Sequence, residues 1–263
     1  MTGVERIMGV FESDSNIKIM AHAVCGYPDA AASARILAAM VASGADLIEA
    51  QLPFSDPSAD GSSIVEANHA ALRSGSSTEG CLSSLEALRA AASAPILVMS
   101  YLNPILAYGV DEMVERAARV GLDGFIVPDY PDDEPELGLL EKCAAAGLAL
   151  VPLIAPTTSL ERAAALADGN ATPFLYVVLR LGVTGRRTEL DSAALERLEA
   201  LKALTGKYIA AGFGIREPSQ VETLRASVDC AIVGSVLVDA ARAAAVGGED
   251  PAAAVGAKLR SLL

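Results

Sequence analysis

A single (β/α)8 TIM barrel is the fold this sequence predicts, and three observations point to it. Apolar runs of about five to eight residues alternate with longer, alanine-rich amphipathic stretches from near residue 17 to the end. The apolar runs show little polar alternation, as strands covered on both faces do. No GxGxxG follows the first run, where a doubly wound dinucleotide sheet would carry it; the turn reads Cys25-Gly26-Tyr27-Pro28-Asp29. With no composition break and no Ser/Pro/Gly-rich linker, residues 1–263 are expected to form one domain.

An extra N-terminal helix, Val4–Glu12, is predicted before the first strand, Ile17–Val24. Helix Asp29–Ser43 leads into strand Asp46–Leu52. The second crossover is longer, Ser63–Arg73 plus Thr78–Ala92, and returns the chain to strand Pro95–Tyr101. Helix Val110–Val120 precedes strand Gly124–Pro128, Asp133–Ala146 precedes Leu148–Ile154, and Ser159–Ala167 precedes Phe174–Leu179. Helices Asp191–Thr205 and Glu217–Ala226 precede the last two strands, Lys207–Ala211 and Cys230–Val233, which brings the strands to eight. A short phosphate-binding helix is expected after the eighth, starting near Val236. Gly44-Ala45-Asp46-Leu47 and Gly121-Leu122-Asp123-Gly124 both put a helix-ending glycine just before a strand, a weak internal repeat.

Lys and Arg number 20 against 33 Asp and Glu, a net charge of −13. A general nucleic-acid binder needs the opposite balance to displace counterions from phosphates, and an anionic membrane surface would repel this chain. The longest apolar stretch, Ala144–Pro156, is interrupted by Pro152 and too short to span a bilayer. The first residues carry acids and lack the basic start and apolar centre of a secretory signal, so a cytoplasmic location is expected. Cys25, Cys81, Cys143 and Cys230 are widely spaced, without a CxxC pair or a neighbouring histidine, and read as buried thiols.

Barrel chemistry sits on the loops after the strands. Glu49 interrupts the apolar run Asp46–Leu52, and an unpaired buried carboxylate costs several kcal/mol or stays protonated. Either a buried basic partner satisfies it, or it is an acid/base group near the barrel mouth. The loop Pro53–Gly61 carries Asp56 and Asp60. Asp60 reads either as part of a polar turn near a helix N-cap or as a second carboxylate paired with Glu49, the two dividing acid/base work. Three late strands end in small-residue turns: Leu181–Gly185, Ala211–Ile215 and Val233–Val236. In the last two, Gly214 and Gly234 let backbone N–H groups approach phosphate oxygens, and Ser235 adds a hydroxyl at a helix start. Neither His22 nor His69 has metal-ligand spacing. Lys18 and Lys207 open their strands, at the wrong end of a barrel for a Schiff base. The residues alone therefore describe a cofactor-free barrel enzyme acting on a phosphorylated small molecule.

Gly44-Ala-Asp-Leu-Ile-Glu49 followed by Leu52-Pro-Phe-Ser-Asp-Pro-Ser-Ala-Asp-Gly61 resembles the signature of the tryptophan synthase alpha chain family. Further matches follow in order over most of the chain: Tyr101-Leu-Asn-Pro104, Val127-Pro-Asp129, Ala155-Pro-Thr-Thr158, Gly182-Val-Thr-Gly185, Gly212-Phe-Gly-Ile215 and Val233-Gly-Ser235. The resemblance implies a lyase that cleaves indole-3-glycerol phosphate to indole and glyceraldehyde 3-phosphate by a retro-aldol reaction. It implies Glu49 as principal acid/base and Asp60 as the acceptor of the indole N–H. Thr184 would orient the aspartate when its loop closes, and Tyr101 and Tyr176 would line the site. Phe213 would contact substrate, with Gly185, Gly214, Gly234 and Ser235 at the phosphate. The implied partner is a pyridoxal-phosphate beta chain in an alpha2-beta2 complex, facing Pro53 and Asp56; no cofactor is implied in this chain.

Several positions depart from that family pattern. Gln51 stands where glycine is common, Ser62 replaces the usual proline, Val65 a frequent glutamine, and Leu179 and Leu181 flank Arg180 where small or hydroxyl residues are usual. Met20-Ala-His-Ala-Val24 is also less typical. Gln51, two residues from Glu49 on one strand face, is expected to hydrogen-bond within the site. The departures leave room for a stand-alone lyase releasing free indole, or a weakly catalytic subunit that mainly activates a beta chain.

Overall fold

The computed structural model describes residues 1–14, 16–130, 137–178, 192–212 and 214–263. Its strands are β1 (Lys18–Val24), β2 (Leu47–Gln51), β3 (Ile96–Met99), β4 (Gly124–Ile126), β5 (Ala149–Val151), β6 (Leu153–Ile154), β7 (Phe174–Val178), β8 (Tyr208–Gly212) and β9 (Cys230–Val233). They form one parallel sheet in the order β5-β4-β3-β2-β1-β9-β8-β7-β6. The outermost two, β5 and β6, are halves of the single predicted strand Leu148–Ile154. Pro152 divides them because it has no N–H to give the ladder. β5 pairs with β4 and β6 with β7, so the sheet closes on itself through this segment. The Pro152 carbonyl still accepts the Tyr176 N–H at 3.0 Å.

The helices are α1 (Gly3–Glu12), α2 (Ala30–Ala42), α3 (Ser62–Arg73), α4 (Thr78–Ala91), α5 (Leu102–Tyr108), α6 (Val110–Val120), α7 (Leu139–Ala145), α8 (Leu160–Asp168), α9 (Ser192–Thr205), α10 (Pro218–Leu224), α11 (Ser235–Gly247) and α12 (Pro251–Arg260). Two were not expected. In α5, Pro104 falls in the first turn, where its missing N–H costs nothing. In α12, the Asp250 side chain caps the helix and Pro251 opens it. The helix after β9, expected to be short, runs 13 residues. The start of predicted helix Asp133–Ala146 and the end of predicted strand Phe174–Leu179 lie outside the described residues.

Strand alternation sorts the core into two layers. Ile19, Ala21, Ile48, Ala50, Ile96 and Val98 face the helices and pack with Ile36, Leu37, Leu82 and Leu85. Met20, Leu47, Leu97, Phe174, Ala210 and Cys230 fill the barrel interior. Helix α1 closes the end where the strands begin. A reciprocal Thr2–Glu5 capping box starts it, and Ile7 and Phe11, four apart on one face, join the interior layer. The Phe11 ring stacks on Tyr208 at 4.7 Å and meets Phe174 at 5.5 Å.

The weak repeat has a structural reason. Asp46, just before β2, accepts the N–H of Ile19 in β1 at 2.7 Å. Asp123, just before β4, accepts the N–H of Ile96 in β3 at 2.7 Å, and Asp229, just before β9, that of Ile209 in β8 at 2.8 Å. Each carboxylate occupies an N–H at the start of the neighbouring strand and fixes the stagger between the two. Asp123 also meets Arg6 of α1 and, at 3.4 Å, Arg89 of α4, which ties the closing helix to the barrel.

All four cysteines are free and buried, as expected. Among the described residues no helix is long and apolar enough to cross a membrane.

Candidate active site

Along β2 the interior positions are Leu47, Glu49 and Gln51, so this strand turns from apolar to polar as it approaches the end where the loops emerge. Glu49 is 3% exposed. The register sets it opposite His22 of β1 on one side and Leu97 of β3 on the other. The His22 Nδ1 lies 3.3 Å from a Glu49 carboxylate oxygen. Glu49 thus has the buried basic partner that the sequence left open, and that partner is an imidazole set aside because no metal spacing surrounded it. The alternation Met20-Ala21-His22-Ala23-Val24 held the signal: with alanines outward, His22 can only face in.

The loop after β2 carries Asp60 back over the strand ends. Its N-cap reading is not met: Gly61 caps α3 without a side-chain bond. The Asp60 carboxylate instead accepts the Gln51 Nε2–H at 2.7 Å and the Tyr101 hydroxyl at 3.0 Å, both on the same oxygen. Tyr101 in turn accepts the Ala59 N–H at 2.9 Å, and its ring packs against Phe54, 5.4 Å away. The loop is pinned from α3 as well. Asn68 accepts the Phe54 N–H at 2.9 Å while its own amide bonds the Ile64 carbonyl, and the His69 ring meets the Ser55 carbonyl. Pro53 is half-buried and Asp56 exposed at the outer edge of the loop.

Burial pushes the Asp60 carboxyl above its ordinary range, and the nearby Glu49 charge adds to this; His22 and the hydrogen bonds from Gln51 and Tyr101 oppose it. Burial alone would hold His22 neutral, but attraction to Glu49 and to Asp60 outweighs it and raises its pKa. Tyr176 of β7 is raised well above the usual phenol value by burial and then by the charges of Glu49 and Asp60, which places it by both carboxylates. Ser235 is buried at the start of α11, where Gly234 is the N-cap and where a Cβ at position 234 would come to ordinary contact distance of His22. Gly214 has φ +65°, a conformation that favours glycine. Thr184, Gly185 and Phe213, with Leu179, Arg180 and Leu181, lie outside the described residues. Among the described residues no cluster of His, Cys, Asp and Glu could hold a metal ion.

The model of a family described as tryptophan synthase alpha chain matches residues 11–261. The chain belongs to the tryptophan synthase alpha chain family. A relative from Carboxydothermus hydrogenoformans, named tryptophan synthase alpha chain, is 41% identical over 91% of this chain and 89% of its own. One from Chloroflexus aurantiacus is 34% identical over 100% of this chain and 98% of its own. Among solved structures, a tryptophan synthase from Mycobacterium tuberculosis superposes with a TM-score of 0.87 at 33% identity, covering 98% of this chain and 96% of that one. Against the family pattern, Gln51 now has a structural consequence. Where glycine would leave space, a fully buried amide reaches across to Asp60.

Proposed function

We propose that this chain is a carbon–carbon lyase, the alpha subunit that cleaves indole-3-glycerol phosphate to indole and glyceraldehyde 3-phosphate, with residues 1–263 acting as one domain. The observation that supports it is the pair of buried carboxylates, Glu49 and Asp60, held in different environments at the barrel mouth. The cleavage needs a proton delivered to the indole C3 and one removed from the side-chain hydroxyl, and Glu49 is the group for this work. Asp60, anchored on one oxygen by Gln51 and Tyr101, keeps the other for the indole N–H, where positive charge develops. Tyr101 and Tyr176 line the site. Phosphate is taken by the first turn of α11 through Gly234 and Ser235, together with Gly214 and Gly185, while Phe213 contacts substrate and Thr184 orients Asp60 when its loop closes. The loop bearing Pro53 and Asp56 faces a beta chain, which holds the pyridoxal phosphate and receives indole in an alpha2-beta2 complex in the cytoplasm; this chain needs no cofactor of its own.

The test is indole release from indole-3-glycerol phosphate by the purified chain, with and without a cognate beta subunit. Stimulation by the beta chain, and a fall of orders of magnitude for Glu49→Gln, are expected. Turnover unchanged by that substitution would overturn the assignment of Glu49. Full activity without a beta chain would make this a stand-alone lyase.

A further inference from the structure

Two buried side-chain atoms at the site have no hydrogen-bond partner, the His22 Nε2 and the Gln51 Oε1. Leaving such atoms unpaired is costly, and they are rarely abandoned without a reason. Both side chains are already committed at their other ends. His22 faces Glu49 through Nδ1 at 3.3 Å, and Gln51 donates to Asp60 through Nε2 at 2.7 Å. The two orphans are complementary, since an imidazolium N–H donates and an amide carbonyl accepts. They also come from facing strands, His22 and Val24 lying opposite Glu49 and Gln51 in the β1–β2 register.

We propose that His22 is a positioning residue of the cleavage: as an imidazolium it holds Glu49 through Nδ1 and closes through Nε2 on Gln51, joining the two carboxylates in one chain, Glu49–His22–Gln51–Asp60–Tyr101. The His22–Glu49 link is an ion-pair contact at 3.3 Å, and the Nε2–Oε1 link is the closure that the proposal adds. Gln51 is nonetheless among the groups whose hydrogen bonding favours the charged imidazole. The charged groups facing His22 are Glu49 from β2 and Asp60 from the loop after it. Tyr176 of β7 and Cys230 of β9 also feel Glu49, but burial keeps hydroxyl and thiol protonated. One cation therefore sits between two carboxylates. It keeps Glu49 aimed and offsets the negative charge that Glu49 and Asp60 bring to the same site.

This inference deepens the proposed function and rests on it for its kinetic consequences, while its electrostatic core can be read without turnover. The chain has two histidines, His22 and His69, so 15N imidazole spectra of the full chain resolve both, with His69→Gln assigning the second. His22 is expected to titrate above 6.5 with both nitrogens protonated below its midpoint, and Glu49→Gln and Gln51→Leu should each lower that midpoint. In the indole-release assay, kcat should fall as pH rises through the same midpoint. His22→Phe, which keeps ring bulk, should lose about tenfold in kcat with little change in KM and no longer show that alkaline limb. A neutral His22 at pH 6.5, or a midpoint indifferent to Gln51→Leu, overturns the bridge. A kcat and pH profile unchanged in His22→Phe overturns its role in the reaction. If the wild-type chain releases no indole, the proposed function fails and the titration still decides the bridge.

Discussion

Tyr101→Phe isolates the hydroxyl that holds Asp60. Tyr101 is 1% exposed, and its ring would keep its packing against Phe54. The substitution removes a donor to the Asp60 carboxylate at 3.0 Å and an acceptor for the Ala59 N–H at 2.9 Å. A hydrogen bond to a charged group contributes about 1.5–3 kcal/mol and a neutral one about 0.5–1.5 kcal/mol. Ala59 is exposed, so water can take over its N–H, and the expected loss of stability is about 2–3 kcal/mol. In a chain of this size that corresponds to a fall in Tm of about 4–12 °C by calorimetry. Asp60 keeps Gln51, so it stays in place but is held less firmly, and kcat for indole release should drop about tenfold. The pH dependence carries the sharper sign. Burial already raises Asp60 and Tyr101 opposes that shift, so its loss raises the pKa further. On the role proposed for Asp60, activity needs the ionised carboxylate and disappears as pH falls through this value. The acid limb of the profile should therefore move to higher pH. An acid limb that stays put, or moves down, would refute the idea that the Tyr101 hydroxyl supports the Asp60 charge.

At the other end of the barrel, Asp123→Asn leaves Arg6 and Arg89 facing a neutral amide in place of a fully buried carboxylate. Breaking a buried pair costs about 3–5 kcal/mol, and chemical denaturation should show that loss with an unchanged m-value. Phe11→Ala removes the ring between Tyr208 and Phe174; about 3–5 kcal/mol of stability should go, with kcat unaltered below the transition, and a change in kcat would mean that α1 reaches the site. On the surface, hydrogen bonds from Arg116 and then Tyr108 hold the Glu79 carboxyl at about 2 against an ordinary 4.5. A carboxyl lowered on folding stabilises above its unfolded value and loses that contribution as pH falls toward 2. Arg116→Gln should bring its 13C-detected midpoint up toward 4.5, and a midpoint still near 2 would show that Tyr108 alone suffices.

The barrel was legible because buried parallel strands are written as uninterrupted apolar runs and their helices as periodic ones. Where reading failed, a local rule was overridden or overlooked. Pro152 splits a strand that hydropathy makes continuous, since the missing N–H leaves no trace in apolar content. Asp250-Pro251 is a helix-start signal, an acidic N-cap before a proline, and it opens α12. In the site, Glu49 stood out as a charge among apolar residues, and Asp60 through the motif around it. His22 did not, because a lone histidine without metal-ligand spacing carries no chemical signal, and only strand parity turns it inward. Parity gives its direction, but its distance to Glu49 follows only from the β1–β2 register, which depends on a pairing between residues 27 apart.

The same register explains why the candidate site and the carboxylate clamps occupy opposite ends of the barrel. Asp46, Asp123 and Asp229 sit before their strands and pair with backbone N–H groups of the neighbouring strands, with arginines added at Asp123, so each charge there is met by fixed groups at the start of the sheet. Two residues further into β2 and β1 the interior positions pass from Leu47 and Met20 to Glu49 and His22, with Gln51 beyond, and there the buried polar side chains depend on one another and on the loop after β2 for partners. Burying polar groups costs stability even when they are paired, and such an arrangement has to be supported from elsewhere. The closing helix, with Phe11 wedged among Tyr208 and Phe174, and the carboxylate clamps beside it are well placed to supply that support. It follows that Phe11→Ala and Tyr101→Phe, at opposite ends of the barrel and sharing no contact, should add in their effects on stability to within about 0.5 kcal/mol, while only the second alters the pH profile. A marked departure from additivity would show that the two ends are coupled through the sheet.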